Sequence, residues 1–214
     1  MDKAVTTSGT MLSAAILAGG HSSRFGSTKA LFYYGGETLI ARAARLLRSV
    51  CDEVVVSASR VNAPSYEFLG LEIVEDELTD CGPLGGLETL LERCTTPWLL
   101  VVTCDMPYVD SDALSMMIDE AGPADDGRGK SLPHAVAWRR RSDDSISPFP
   151  LLVERDALTV LRQRINDGRY SVKGLLDALD THYIYSTIQF YIDSECRGDS
   201  KSNRQSGCCV RASL

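Results

Sequence analysis

Trp98-Leu99-Leu100-Val101-Val102-Thr103, running straight into Cys104-Asp105-Met106-Pro107, is the stretch that decides the fold. It is the most β-rich run in the chain, and it is apolar at every step but the last rather than alternating. A strand with one wet face would alternate, so this run reads as a central strand covered on both faces. Upstream, Ser13–Leu17 is a similar run ending in Ala18-Gly19-Gly20, and Glu53–Ser57 and Leu71–Glu75 read as two more strands. Between them the period changes to that of helices. From Thr38, residues Leu39, Ile40, Ala43, Leu46 and Leu47 share one face, and Leu84–Arg93 repeats the pattern after Gly82-Pro83. Ser111–Glu120 reads as a helix with Ser111 as its N-cap. Strand and helix alternate, which predicts an α/β fold with a mostly parallel central sheet between two helical layers.

The second half is patterned less clearly. Residues Ala121–Lys130 and Ser142–Pro148 read as loops, Ala135–Trp138 and His182–Tyr185 as strands, and Leu151–Ile165 and Val172–Leu179 as helices. With 214 residues the chain suits one domain with extensions: a polar segment over 1–12, a single domain over 13–192, and an aperiodic, polar tail over 193–214 expected to be disordered. A composition 44% hydrophobic and 24% charged excludes a bundle of membrane spans, and no run of about 18 apolar residues crosses a bilayer. The net charge of −7 repels nucleic acid and acidic lipid, so an anionic ligand requires a local basic cluster or a bound cation. Seven cysteines without a Cys-x-x-Cys spacing, and an N-terminus without an export signal, point to a reduced, cytoplasmic location.

Three loops at strand ends carry the chemistry. Leu17-Ala18-Gly19-Gly20-His21-Ser22-Ser23-Arg24-Phe25-Gly26-Ser27-Thr28-Lys29 follows the first strand, where an open α/β sheet places its ligand crevice. Its glycines let backbone N–H groups approach phosphate oxygens, Arg24 and Lys29 add positive charge, and Ser22 and Ser23 add donors. The spacing is neither that of a P-loop nor that of a dinucleotide fingerprint. Taken alone, a glycine-rich turn with two solvated basic residues fits equally well. Asp105 changes the balance, because it ends the best strand at the same edge and a carboxylate there can hold Mg²⁺ together with substrate phosphates. Asp before a turn commonly bonds its own backbone instead; the coincidence with the glycine loop favours the metal. Glu75-Asp76 and Cys81-Gly82-Pro83-Leu84-Gly85-Gly86 form a third station, in which Asp76 either accepts hydrogen bonds from a base or sugar or belongs to an acidic turn with Glu77 and Asp80.

In combination, Leu17-x-Gly19-Gly20-x-Ser22-x-Arg24-x-Gly26-x-x-Lys29, Gly82-Pro83-Leu84-x-Gly86 and Cys104-Asp105-Met106-Pro107 resemble the signatures of the molybdenum cofactor guanylyltransferases, within the nucleotidyltransferase superfamily. The resemblance spans about Ala14 to Leu179. It implies a Rossmann-like nucleotidyltransferase fold, transfer of GMP from GTP to the terminal phosphate of molybdopterin, release of pyrophosphate and a need for Mg²⁺. It implies Leu17, Ala18, Gly19 and Gly20 at the guanine nucleotide, Lys29 on its phosphates, Asp76 in the nucleotide pocket, Asp105 on the metal, Arg24 facing the pyrophosphate and Arg169 at the acceptor's phosphate. Arg24, Lys29 and Asp105 are thus the expected catalytic residues, and His21, His134 and His182 are bystanders. It further implies transient contact with other molybdenum cofactor proteins, and no nucleic-acid or membrane partner. The chain departs from the family pattern at Thr28, where Asp is usual; at Ser57, where some members carry an Asn that contacts nucleotide; at Ser147-Pro148, in place of His-Pro; and after Phe190. A relative using CTP or another phosphorylated acceptor, and a GTP-binding homologue without catalysis, are the competing readings.

Overall fold

The apolar runs that open and close the first half become neighbours in one sheet. The computed structural model describes residues 12–19, 29–78, 80–121 and 134–187. In chain order the first half contains β1 (Leu12–Leu17), β2 (Tyr33–Tyr34), β3 (Glu37–Thr38), α1 (Leu39–Arg48), β4 (Val54–Ala58), β5 (Glu72–Glu75), α2 (Pro83–Arg93), β6 (Trp98–Thr103) and α3 (Ser111–Ala121). The second half adds β7 (Ala135–Arg140), β8 (Ile146–Glu154), α4 (Leu158–Asn166), α5 (Val172–Ala178) and β9 (Thr181–Ser186). Seven strands form the main sheet in the order β5-β4-β1-β6-β8-β7-β9. The pairs β5–β4, β4–β1 and β1–β6 are parallel, β8 is antiparallel to both neighbours, and β9 is parallel to β7.

The expected three-layer architecture is present. Leu39, Ala43 and Leu46 of α1 pack toward Val102, and Glu120 of α3 reaches His182, on one face. On the other face α2 meets Leu17 and Ser57, α4 is tied to α2 by Arg162 between Glu88 and Glu92, and α5 packs on β8. Ala14, Ala15, Ile16, Leu99, Leu100, Val101 and Val102 are all buried, as strands covered twice must be.

Four local readings are corrected. Leu151–Glu154 ends a strand and does not begin a helix; the helix starts at Leu158. Leu151, Leu152 and Val153 are fully buried, and so short an apolar run has no period by which to tell strand from helix. Ile146–Pro148, read as loop, belongs to the same strand, and β7 continues past Trp138 to Arg140. Asp110, not Ser111, caps α3, its Oδ1 accepting the Ala113 N–H at 2.9 Å. A hairpin, β2–β3, occupies Tyr33–Thr38 and turns through Gly35 and Gly36 at φ +62° and +94°, conformations that glycine adopts without strain. The loop reading at Ala121–Lys130, most of the 1–12 extension and the tail over 193–214 lie outside the described residues.

Candidate active site

Parallel pairing brings the carboxyl ends of β5, β4, β1 and β6 to one rim. Leu17 stands opposite both Ser57 and Thr103, and Ala58 opposite Glu75, so the residues that follow these positions share an edge four strands wide. At about 4.8 Å per strand the edge spans roughly 14 Å. The expected ligand residues are distributed along it, with Asp76 at the β5 end, Leu17, Ala18 and Gly19 in the middle and Asp105 at the β6 end.

At the β6 end Lys29 and Asp105 meet. Lys29 opens a short 3-10 helix, and its Nζ lies 2.7 Å from Asp105 Oδ2, with the two side chains 27% and 26% exposed. The Thr103 hydroxyl donates to Asp105 Oδ1 at 2.6 Å, so both carboxylate oxygens are engaged. The β2–β3 hairpin and α1 hold the two loops together. Tyr34 donates to the Tyr108 hydroxyl at 3.3 Å with the rings edge to face, and Arg42 Nε donates to the Pro107 carbonyl at 2.9 Å. Glu37 binds Arg45 and Arg42, and the Arg45 guanidinium holds its carboxyl below the usual range.

At the β5 end the Ser57 hydroxyl donates to Asp76 Oδ1. The Asp76 N–H donates to the Ala58 carbonyl at 2.9 Å, and the Ala18 N–H to the Ser57 carbonyl at 2.8 Å, which fixes the backbone around this bond. Burial pushes the Asp76 carboxyl up, and the Ser57 bond opposes it. Two glycines make the space. A methyl on Gly19 would collide with Asp76 Oδ2, and one on Gly86 would stand 2.7 Å from Ser57 Oγ and 3.1 Å from Asp76 Oδ1. Sequence reasoning assigned such glycines to close approach of a ligand; here they first admit the Asp76 carboxylate.

Arg169 is exposed in the turn between α4 and α5, where its N–H donates to the Arg164 carbonyl at 2.8 Å. The helix α4 starts where Glu154 pairs with Trp98, at the beginning of β6, and runs back along the sheet, so this turn is carried to the same end as Asp105. The Arg169 side chain bonds to none of the described residues. Gly20 and Arg24, with His21, Ser22, Ser23, Gly26, Thr28 and Phe190, lie outside the described residues. His134, paired with Glu154 at 2.7 Å, and His182, facing Glu120 at 3.5 Å, sit at the opposite end of the sheet. The Ser147 hydroxyl is spent on the Phe149 carbonyl at 2.7 Å.

The donor set around Asp105 suits Mg²⁺, a hard cation that takes one or two carboxylates and completes its shell with phosphates and water. No competing soft ligand is available beside it: burial and the adjacent Asp105 push the Cys104 thiol up to about 12, against the opposing effect of Lys29, so it stays protonated at neutral pH. No cluster of three or more His, Cys, Asp or Glu poised for a metal occurs among the described residues. At Oδ2 a cation and Lys29 would compete, although the carboxylate retains lone pairs beyond the two that Lys29 and Thr103 engage. A groove of about 470 Å³ between the outer side of α1 and Phe68 shares no residue with this rim. Among the described residues, no helix is long and apolar enough to cross a membrane.

The chain is similar to several known proteins. The chain is 30% identical over 175 residues to a molybdenum cofactor guanylyltransferase of Syntrophotalea carbinolica, covering 80% of this chain and 77% of that protein. It is 38% identical over 149 residues to one of an Acidovorax species, covering 69% of this chain and 63% of that protein. Among solved structures, the molybdopterin-guanine dinucleotide biosynthesis protein A of Archaeoglobus fulgidus superposes with a TM-score of 0.63 at 18% identity, over 82% of this chain and 83% of that one. The 4-diphosphocytidyl-2C-methyl-D-erythritol synthase of Anaerococcus prevotii does so with a TM-score of 0.63 at 12% identity, over 84% and 92%. The fold is therefore common to proteins with different names, and the base pocket and acceptor end must separate them. The MobA-like NTP transferase domain family matches residues 14–182, and the chain belongs to that family.

Proposed function

We propose that this nucleotidyltransferase moves GMP from GTP to the terminal phosphate of molybdopterin and releases pyrophosphate. The observation that carries the reading is the convergence of Lys29 and Asp105 at one end of a rim whose other end presents the Asp76 carboxylate. That arrangement suits a nucleoside triphosphate lying along the strand ends, its base toward Asp76 and its phosphates toward Lys29. The likeness to named guanylyltransferases supports the choice of GTP and molybdopterin.

Transfer of this type asks the protein for position and charge neutralisation rather than for covalent chemistry. An oxygen of the acceptor phosphate attacks the α-phosphorus in line as the bond to pyrophosphate breaks. The acceptor is already ionised near neutral pH, so no general base is required. Lys29 donates hydrogen bonds to phosphate oxygens once it has left Asp105. Asp105, kept in place by Thr103, would hold Mg²⁺, which would supply positive charge against the phosphates. The resemblance assigns Arg24 to the pyrophosphate and Arg169 to the acceptor. With these partners the protein works in the cytoplasm.

Pyrophosphate release, measured with each nucleoside triphosphate in the presence and absence of purified molybdopterin, tests the proposal. Release is expected to require GTP, molybdopterin and Mg²⁺ together, and to stop on chelation. Equal turnover with CTP, or GTP binding without release when molybdopterin is added, would overturn it.

A further inference from the structure

We propose that Ser57 is a positioning residue for base recognition: its hydroxyl anchors Asp76 Oδ1 and thereby turns Oδ2 toward Gly19, where it accepts the hydrogen-bond donors of a 2-amino-6-oxopurine. The inference rests on the guanylyl reading above and assigns a role in it to a side chain that departs from the family pattern.

Ser57 is fully buried near the end of β4, and its hydroxyl points to the next loop rather than along its own strand. The bond it donates closes a unit built from four elements. Ser57 comes from β4, Asp76 from the loop after β5, Gly19 from the loop after β1 and Gly86 from the first turn of α2. A side chain on either glycine would strike this pair, which makes their smallness a condition of the carboxylate's position.

The chemistry of the base then follows. A carboxylate only accepts hydrogen bonds. Guanine offers two adjacent donors, the ring N1–H and the 2-amino group. Adenine presents an acceptor nitrogen in the first place, and cytosine presents acceptors in both. A fixed carboxylate therefore binds the first and repels the others, while one free to rotate, or holding a proton, separates them poorly. Burial works toward the protonated form of Asp76, and the Ser57 hydroxyl works against it. Removing the hydroxyl loosens the carboxylate and favours its neutral form at once.

Calorimetric titration of the full chain with GTP, inosine triphosphate and ATP, each with Mg²⁺, tests this in the wild type and in Ser57→Ala, Ser57→Cys and Ser57→Thr. The Ala and Cys variants are expected to lose about tenfold in GTP affinity, from one lost bond to a charged acceptor, with ATP affinity unchanged. The preference for GTP over inosine triphosphate, which lacks the 2-amino group, should shrink toward unity in both. Ser57→Thr keeps the hydroxyl and should keep the preference. In turnover, KM for GTP should rise while kcat at saturation holds. Cys keeps a heavy atom at the γ position but is only a weak donor, so the Cys and Thr pair decides the matter if Ser57→Ala does not fold. An unchanged ratio of GTP to inosine triphosphate affinity in Ser57→Cys would overturn the role of Ser57 alone. A wild type that binds ATP as tightly as GTP would overturn the guanylyl reading, and this inference with it.

Discussion

At the β6 end of the rim a full positive and a full negative charge face each other partly open to water, Lys29 Nζ 2.7 Å from Asp105 Oδ2. At the β5 end the Asp76 carboxylate is also half-buried, but its bonded partner is the neutral hydroxyl of the fully buried Ser57. The Lys29–Asp105 pair, about a quarter exposed, keeps contact with water, which can replace part of what the pair gains. The half-buried Asp76 carboxylate is held by a hydroxyl that is itself fully buried, so loss of that bond leaves an acceptor without a ready replacement. The β6 end is therefore exchangeable, its two charges free to part and take up phosphates and a cation, whereas the β5 end is fixed. Exchange suits the reacting phosphates, whose charge moves during transfer. Fixity suits the base, which has only to be recognised.

On the proposed function the largest effects belong to the exchangeable end, where charge would act on the transition state. Lys29→Ala and Asp105→Asn are each expected to lower the rate of pyrophosphate release by a factor on the order of 10² or more. Thermal melting should be nearly unchanged, because a part-exposed pair contributes about 1 kcal/mol or less. Turnover within a few-fold of wild type in either variant would remove that residue from the phosphate site.

How much of this contrast could be read in the chain depends on the range of the interaction. β6 was legible because a strand covered on both faces needs a continuous apolar run, and Leu99–Val102 is one. Lys29 and Asp105 were legible singly, each beside a strand end. Their convergence at one edge was legible too, and the structure bears it out; their direct ion pair was not, because it needs the Tyr33–Thr38 hairpin to fold back and Arg42 to hold the Pro107 carbonyl. The Gly35-Gly36 pair was the available signal for that hairpin. Ser57 looked like a weakness in base recognition. Its bond to Asp76 arises from the parallel register that sets Ala58 opposite Glu75, a long-range pairing with no local trace in sequence. Gly86 was noticed as part of a motif, but its reason, the nearness of Ser57 Oγ, exists only once α2 lies over β4. β8 was misread at Leu151–Glu154 because burial, not period, is what distinguishes it.

The fixed end should respond to shape. Gly86→Ala places a methyl 2.7 Å from Ser57 Oγ and 2.8 Å from a Leu17 methyl, closer than packed atoms approach. The bonded pair must shift. Overpacking of this kind costs about 1–3 kcal/mol. GTP affinity by calorimetry should fall roughly tenfold to a hundredfold on that scale, and the melting temperature should fall with it. Gly86→Ala with wild-type GTP affinity would show that the carboxylate is not held as tightly as the contrast requires.

It should also respond to pH, with opposite signs for binding and for folding. The folded-state pKa of Asp76 is raised, so the carboxyl takes its proton at a higher pH than an ordinary aspartate. Protonation removes an acceptor, so GTP affinity should fall as pH falls through that raised value, and Asp76→Asn should lack this inflection. For folding, a raised pKa means that the native state binds the proton more tightly than the unfolded chain does. Its contribution to stability is fully present below the unfolded value and lost as pH rises through the folded one. Asp76→Asn should thus gain melting temperature relative to wild type at neutral pH while losing GTP affinity. Calorimetry and melting over a common pH series would expose a failure of either sign.

The smallest expected effect tests whether the β6 end exchanges at all. Lys29 Nζ lies against Asp105 Oδ2, an oxygen at which a divalent cation would compete with it. A Lys29→Met chain keeps most of the side chain's length but lacks the competing charge, so Mn²⁺ should bind it more tightly than it binds wild type. An exposed or half-exposed ion pair is worth about 0.5–1 kcal/mol, which predicts a gain of only about twofold to fivefold. Mn²⁺ titration followed by electron paramagnetic resonance, without nucleotide, measures it directly, and Asp105→Asn supplies the control in which the gain must vanish. With GTP present the order should reverse, because Lys29 then serves the phosphates and its loss weakens the nucleotide that shares the cation. Equal Mn²⁺ affinity in the wild type and Lys29→Met chains, with Asp105→Asn still abolishing binding, would mean that the pair imposes no barrier to the metal. The two ends of the rim would then differ in the charge of the bonded partner but not in the freedom with which they exchange partners.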